Sequence, residues 1–297
     1  MGVHIMKITF RRYKLLQDFD IVNDFLINNY SKEMDGCIEQ PFWEYAHTHP
    51  CFNHKLTHRF GLWEDDGKLV AIAFYEMDIG EGLIYTASGY EFLYENMLNY
   101  AEKELSLKDN GVISIGIFTS DKQTILRDLL ISRGYKSTYK EAVNIFPYEK
   151  GFKNYELPEG FSIISLEDEN DFYKINSCLW KGFNHGDEPD DDIDGRMQMQ
   201  SGPNFRKDLT TVIKAPNGEY ACFAGMWIDG KNGYAYLEPL ATVPYYRKLG
   251  LASIALTVAM KKTIPFGAKY CIGGSIKFYT EFGFETIGYK EKWLKQW

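Results

Sequence analysis

The chain has 297 residues, 45% hydrophobic and 25% charged, which suffices for two domains with cores of their own and is unlike a disordered protein. A net charge of −8 argues against general nucleic-acid binding, and no run is long and apolar enough for a membrane helix. Met1–Lys7 lacks a signal-peptide core and five scattered cysteines lack CxxC spacing, so the expected setting is a reducing cytoplasm.

Along the first half, Phe60–Glu64, the turn Asp65-Asp66-Gly67 and Lys68–Phe74 predict a β-hairpin. Ser88-Gly89-Tyr90-Glu91 reads as a capping box opening a helix to about Leu105. A strand at Val112–Ile117 and a helix at Thr124–Ser132 follow, and a connector is expected near Pro147 to Pro158. In the second half, Ser165-Leu166-Glu167-Asp168 is a further capping box, with Phe172, Ile175 and Leu179 on one helical face beyond it. Thr211–Lys214, Pro216-Asn217-Gly218 and Tyr220–Met226 predict a second hairpin, whose turn glycine lies 151 residues after Gly67. Arg133-Gly134-Tyr135 and Phe282-Gly283-Phe284 each place a glycine where a helix feeds a last strand, 149 residues apart. Two features keeping nearly one period predict a tandem repeat of a mixed α/β module, with boundaries at 1–150 and 155–297. The aromatic share of 16% fits large buried rings, an aromatic-lined pocket, or both.

The segment from Tyr234 carries the chemistry. A strand to Val243 runs through Pro244-Tyr245-Tyr246 into Arg247-Lys248-Leu249-Gly250-Leu251-Ala252, and Leu251, Ile254, Ala255, Val258 and Ala259 then recur at helical spacing. Such a turn leaves backbone N–H groups free at a helix start, where the dipole favours an anion. Gly250 lets the backbone approach a phosphate, and Ala252 keeps the first turn uncrowded. Residues 239–280 hold six basic residues and no Asp or Glu, a surface suited to a polyanionic small molecule or, alternatively, a helix with solvated lysines.

This stretch resembles the GNAT superfamily of N-acetyltransferases, whose pyrophosphate loop reads Q/R-x-x-G-x-G/A and is matched by Arg247 to Ala252. The preceding strand, the Pro-x-Tyr-Arg lead-in and Phe278-Tyr279-x-x-Phe282-Gly283-Phe284 add to the likeness, which covers about residues 155–297. It implies two tandem modules, each a mostly antiparallel mixed sheet flanked by helices, with acetyl-CoA as co-substrate and no metal. By that resemblance Ala241, Thr242 and Val243 offer backbone groups to the pantetheine arm. Arg247, Lys248, Leu249, Gly250, Leu251 and Ala252 hold the pyrophosphate, with Ser253 nearby and Ser275 and Phe278 as further contacts. The implied reaction moves acetyl from acetyl-CoA to a primary amine, a small molecule or a peptide end, in a ternary complex. The amine must first lose a proton, and Glu238 on the strand is the expected base, acting through water. Tyr279 matches the family's proton donor to the departing thiolate. A non-catalytic acyl-CoA sensor is the alternative. In the first half, Thr86–Glu91 lacks the loop motif and puts a carboxylate where phosphate would sit, so that half is expected not to bind CoA.

Two other signals compete. His47, His49, His54 and His58 surround Cys51 without a zinc spacing, and Asp190-Asp191-Asp192-Ile193-Asp194-Gly195 fits the start of an EF-hand loop with Ser201 at its twelfth position. With Asp187 and Glu188 the acidic run instead suits the border of an acceptor site, favouring a cationic acceptor, or a solvated loop.

Overall fold

The computed structural model describes residues 6–297, so Met1–Ile5, part of the segment read for a leader, lie outside it. The first half runs β1 (Ile8–Arg12), α1 (Leu15–Asn29), α2 (Gln40–Thr48), β2 (Gly61–Asp65), β3 (Lys68–Phe74), β4 (Glu81–Thr86), α3 (Tyr94–Glu104), β5 (Leu107–Asp109), β6 (Val112–Ser120), α4 (Thr124–Ser132) and β7 (Lys136–Pro147). The second runs β8 (Ser162–Ser165), α5 (Phe172–Gly182), α6 (Ile193–Met199), β9 (Thr211–Lys214), β10 (Tyr220–Asp229), β11 (Tyr234–Thr242), α7 (Leu251–Thr263), β12 (Tyr270–Gly273), α8 (Lys277–Phe282) and β13 (Glu285–Gln296). Apart from the short β5, the order of elements is the same twice, as the turn spacing predicts.

The chain forms two compact units, one of residues 1–47, 51–143 and 287–297, the other of 48–50 and 144–286. In the first, β1, β2, β3, β4 and β6 lie in that order, antiparallel except for the parallel pair β4 and β6, and β13 pairs antiparallel with β6. In the second the order is β8, β9, β10, β11, β12, again with one parallel pair, β11 and β12, and the end of β7 pairs with β12 from Asn144 to Pro147. Each half thus lends the end of its last strand to the unit built by the other. The cores follow: Trp293 of β13 is buried with the first unit's rings, and Phe146 of β7 with Phe282 and Phe284 of the second.

Hairpins and helix ends form where turn residues dictate. Gly67 and Gly218 take positive φ in the hairpin turns, and Gly134 and Gly283 end α4 and α8. Both helices with an expected capping box start later than it suggests: after Ser88–Glu91 a short helical turn at Glu91–Leu93 precedes α3 at Tyr94 with no side-chain cap, and α5 starts only at Phe172. Ser165 and Asp168 do bond reciprocally, but they close a turn, and Asp171 caps α5 by accepting from the N–H groups of Tyr173 and Lys174.

Candidate active site at the β11–α7 turn

β11 is the strand on which the site is built. It pairs with β12 only from Tyr234 to Tyr236, and the two parallel strands then part, leaving the Leu237–Thr242 edge of β11 without β12 as a neighbour. On its other edge a bulge interrupts the pairing with β10, so that Gly225 faces both Glu238 and Pro239. A side chain at Gly225 would collide with the Glu238 carbonyl, which also accepts from the Trp227 indole at 3.0 Å. The bulge therefore fixes the backbone of the expected base, whose side chain is half-buried.

The register decides which backbone groups are free. Val243 donates to the Ala221 carbonyl and accepts from Tyr246, so both its groups are spent. By strand alternation Ala241 also turns toward β10, whereas Leu240 and Thr242 turn toward the open edge. Of the three residues expected to meet the pantetheine arm, only Thr242 faces that edge, and Leu240, absent from the expectation, joins it. The Thr242 carbonyl already accepts from Arg247 Nε at 3.1 Å.

The loop itself has the backbone of an anion cradle. Lys248 and Gly250 both take positive φ, 66° and 77°, on either side of Leu249, an alternation from which anion-binding nests are built. Gly250 is the N-cap of α7, its carbonyl accepts from Ile254, and the N–H groups of Leu251, Ala252 and Ser253 therefore have no acceptor within the helix. Arg247 points elsewhere. Its guanidinium donates to the Gly182 carbonyl at 2.8 Å and to Asn184 Oδ1 at 2.9 Å, tying the end of α5 to the loop. The carboxylate-free segment does not concentrate its charge here either. Lys261 and Lys262 sit in the last turn of α7, about 16 Å from Gly250 at 1.5 Å per residue, and Lys277 pairs with Glu281. Lys248 is left as the exposed cation of the loop.

Tyr279 lies within electrostatic reach of Glu238. Its ring lies over the Gly273-Gly274 end of β12, where a Cβ on Gly274 would come within 2.6 Å of it. Burial, then the nearby charge of Glu238, pushes the phenol up from its ordinary value, while the Gly274 N–H bond pulls the other way. Sequence reasoning missed what holds this corner. Asn144, fully buried near the end of β7, donates to the Gly274 carbonyl at 3.0 Å and accepts from Thr286 at 2.7 Å. Ser275 follows that corner half-buried, and Phe278 packs on Tyr279 and Phe282. A pocket of about 240 Å³, lined by Lys174, Ser177 and Lys181 of α5, shares Val243 with the site but includes neither Glu238 nor Tyr279.

The competing signals take other roles. His47 is buried between Trp43 and Phe52 and its Nδ1 bonds the Trp43 carbonyl, His54 bonds the His47 carbonyl, and His58 bonds that of Lys55. Among the described residues no group of three or more His, Cys, Asp or Glu could hold a metal ion. The EF-hand reading fails on geometry: Gly195 lies inside the first turn of α6 rather than in a loop, and Asp192 caps that helix at 2.8 Å. In the first unit, the Glu91 carboxylate accepts the Gly89 N–H at 3.0 Å, so an acid already occupies the turn after β4.

With this geometry in view, residues 169–284 match the model of the acetyltransferase (GNAT) family. The likeness to that family thus lies in the second half of the chain. Solved structures extend the likeness of fold to nearly the whole chain. A GCN5-related N-acetyltransferase from Sphaerobacter thermophilus aligns over 97% of this chain and 95% of its own, at 13% identity and a TM-score of 0.61. A tandem GNAT protein from the clavulanic acid biosynthesis pathway covers 98% of both chains at 9% identity and a TM-score of 0.62. N-myristoyltransferase from Saccharomyces cerevisiae, solved with myristoyl-CoA, covers 98% of this chain and 79% of its own, at 11% identity and a TM-score of 0.55. No curated protein matches. The GNAT fold supports acyl transfer from coenzyme A to an amine, and among the described residues no helix is long and apolar enough to cross a membrane.

Proposed function

We propose that residues 155–297 bind acetyl-CoA and pass its acetyl group to a primary amine in a ternary complex, and that residues 1–150 are a degenerate module without a cofactor site. The observation that carries this reading is that the charge of Glu238, on β11 where β12 parts from it, acts on the Tyr279 phenol, while the same strand leads into the left-handed turn before α7. The open edge at Leu240 and Thr242 suits an extended pantetheine arm, which adds to it as a strand would. The pyrophosphate then meets the N–H groups that open α7.

Glu238, through water, takes a proton from the ammonium so that the nitrogen lone pair can attack the thioester carbonyl. The C–N bond forms, the C–S bond breaks, Tyr279 gives its proton to the departing thiolate, and the second proton shed by the new amide nitrogen returns to Tyr279 through water while that on Glu238 passes to solvent. The overall step releases one proton. The two residues are coupled, because the charge of Glu238 helps hold the phenol proton on Tyr279. Once Glu238 has accepted the amine proton that charge is gone, and Tyr279 becomes the stronger acid when a donor is needed. Among the described residues the five cysteines form no disulfide and four of them are buried, which supports a reducing cytoplasm as the setting.

Thioester consumption with a panel of amines tests the reading. Glu238→Gln and Tyr279→Phe are each expected to cut kcat by about 10² to 10⁴, a typical loss for a general acid or base, while acetyl-CoA still binds. Rates unchanged in both would contradict these assignments. Cofactor binding by the wild type without turnover would favour the sensor.

A further inference from the structure

Asn144 is an unexpected residue for its place in β7. It lies between the buried Val143 and Ile145 and is itself fully buried, although asparagine is depleted in strands. A buried amide is tolerated where both of its ends are bonded. Here Nδ2 donates to the Gly274 carbonyl at 3.0 Å, and Oδ1 accepts from Thr286 Oγ1 at 2.7 Å. The partners set this orientation. A backbone carbonyl only accepts, so the amide nitrogen faces Gly274, and the Thr286 hydroxyl must donate to the oxygen that remains.

Gly274 offers its two backbone groups to different partners. Its carbonyl is taken by Asn144, while its N–H bonds the Tyr279 hydroxyl. The phenol lies close against it: a Cβ on Gly274 would stand 3.3 Å from the hydroxyl oxygen, and one on Gly273 would stand 2.9 Å from the ring. Such contact demands glycine, yet glycine has the freest backbone, so nothing intrinsic to Gly274 keeps its N–H on the phenol. Gly273 is fixed by pairing with Asn144 at the end of β12, and the Asn144 amide then fixes the carbonyl of Gly274 just beyond. The N–H between those two points is thereby held. A bond donated to the phenol oxygen favours the phenolate, so this contact makes Tyr279 a readier proton donor against the burial that retains its proton.

We infer that Asn144 is a positioning residue, which holds the Tyr279 hydroxyl through Gly274, so that a strand from the first half of the sequence serves the chemistry of the second. As a contribution to catalysis this rests on the acetyl-transfer reading above, in which Tyr279 is the donor. Residues 155–297, the span expected to hold the cofactor, lack this amide.

Two measurements on the full chain test it. The first is a double-mutant cycle of Asn144→Ser and Tyr279→Phe, read in kcat. Asn144→Ser is expected to lower kcat by about tenfold while KM for acetyl-CoA stays unchanged. In the Tyr279→Phe background the same substitution should change kcat by less than about twofold, because the group it positions is gone. Thr286→Val removes only the hydroxyl that bonds the amide and serves if Asn144→Ser does not fold. It should lower kcat by about threefold, again only while Tyr279 is present. The second measurement is hydrogen exchange at the Gly274 amide, which needs no turnover. Exchange should quicken by about tenfold in Tyr279→Phe, which removes the acceptor, and comparably in Asn144→Ser. An equal loss of kcat in both backgrounds overturns the inference, as does Gly274 exchange that Asn144→Ser and Thr286→Val leave unchanged. A wild type without turnover whose Gly274 amide responds as stated would uphold the positioning of Tyr279 and count against acetyl transfer alone, so the two readings fail separately.

Discussion

Gly250 combines the demands of the site in one residue. Its φ of 77° is a conformation that costs an L-residue about 1–2 kcal/mol, and an added Cβ would meet no protein atom within 4 Å. Gly250→Ala is therefore expected to weaken acetyl-CoA by about tenfold in calorimetry, through backbone strain at the cradle rather than by a clash within the protein. Tyr279 offers a direct reading of its neighbour. In Glu238→Gln the charge that helps hold its proton is removed, so its phenol should titrate at lower pH than in the wild type, measured against Tyr279→Phe by ultraviolet difference spectra. His47 reports on the first unit. Burial pushes it down to about 4, below its ordinary 6.5, so its contribution is complete above 6.5 and is lost as pH falls through 4. Over that window the unit should lose on the order of 3 kcal/mol to this group, and His47→Gln should flatten the dependence in denaturant titrations. Glu238, Tyr279 and Gly250 are proposed from the sequence because each sits at a fixed distance from a local motif. Leu240 could not be proposed that way, because which backbone groups face outward depends on the register with β10, and a slip of one residue reverses it.

The last strand ties its own half to the other unit. β13 pairs with β6 from Lys290 to Gln296, buries Trp293, and anchors Glu291 to Arg127 at 2.9 Å and Lys140 at 3.4 Å. Trp293→Ala should cost the first unit about 3–5 kcal/mol, as large-to-small changes of buried aromatics do, and thermal unfolding followed by hydrogen exchange at Ser114–Ser120 would show it. Little change at those amides would mean that β13 is not a working member of that sheet. The hairpins, α4 and the β11–α7 turn were legible because turn glycines and helical periodicity act locally. The exchange of strand ends was not, since nothing local in Lys136–Pro147 or Glu285–Gln296 names a partner far along the chain. Asn144 belongs to the same blind spot: it is a strand asparagine in the first half of the sequence and a support for Gly274 in the second unit. The start of α5 shows the opposite error, a true capping box that closes a turn instead of a helix.

For the whole chain, the repeated plan of elements separates into one unit with an open strand edge and a left-handed glycine turn into its helix, and one whose equivalent turn holds the Glu91 carboxylate on the Gly89 N–H. The proposed division of labour concerns the two corresponding turns, at Gly89 and Gly250, and cofactor binding should distinguish them. Amide hydrogen exchange with and without acetyl-CoA tests this most directly. The account predicts protection at Leu240–Ile254, from the edge of β11 through the first turn of α7, and no change at Glu81–Glu91. Protection at Glu81–Glu91, or none at Leu240–Ile254 under saturating acetyl-CoA, would contradict it.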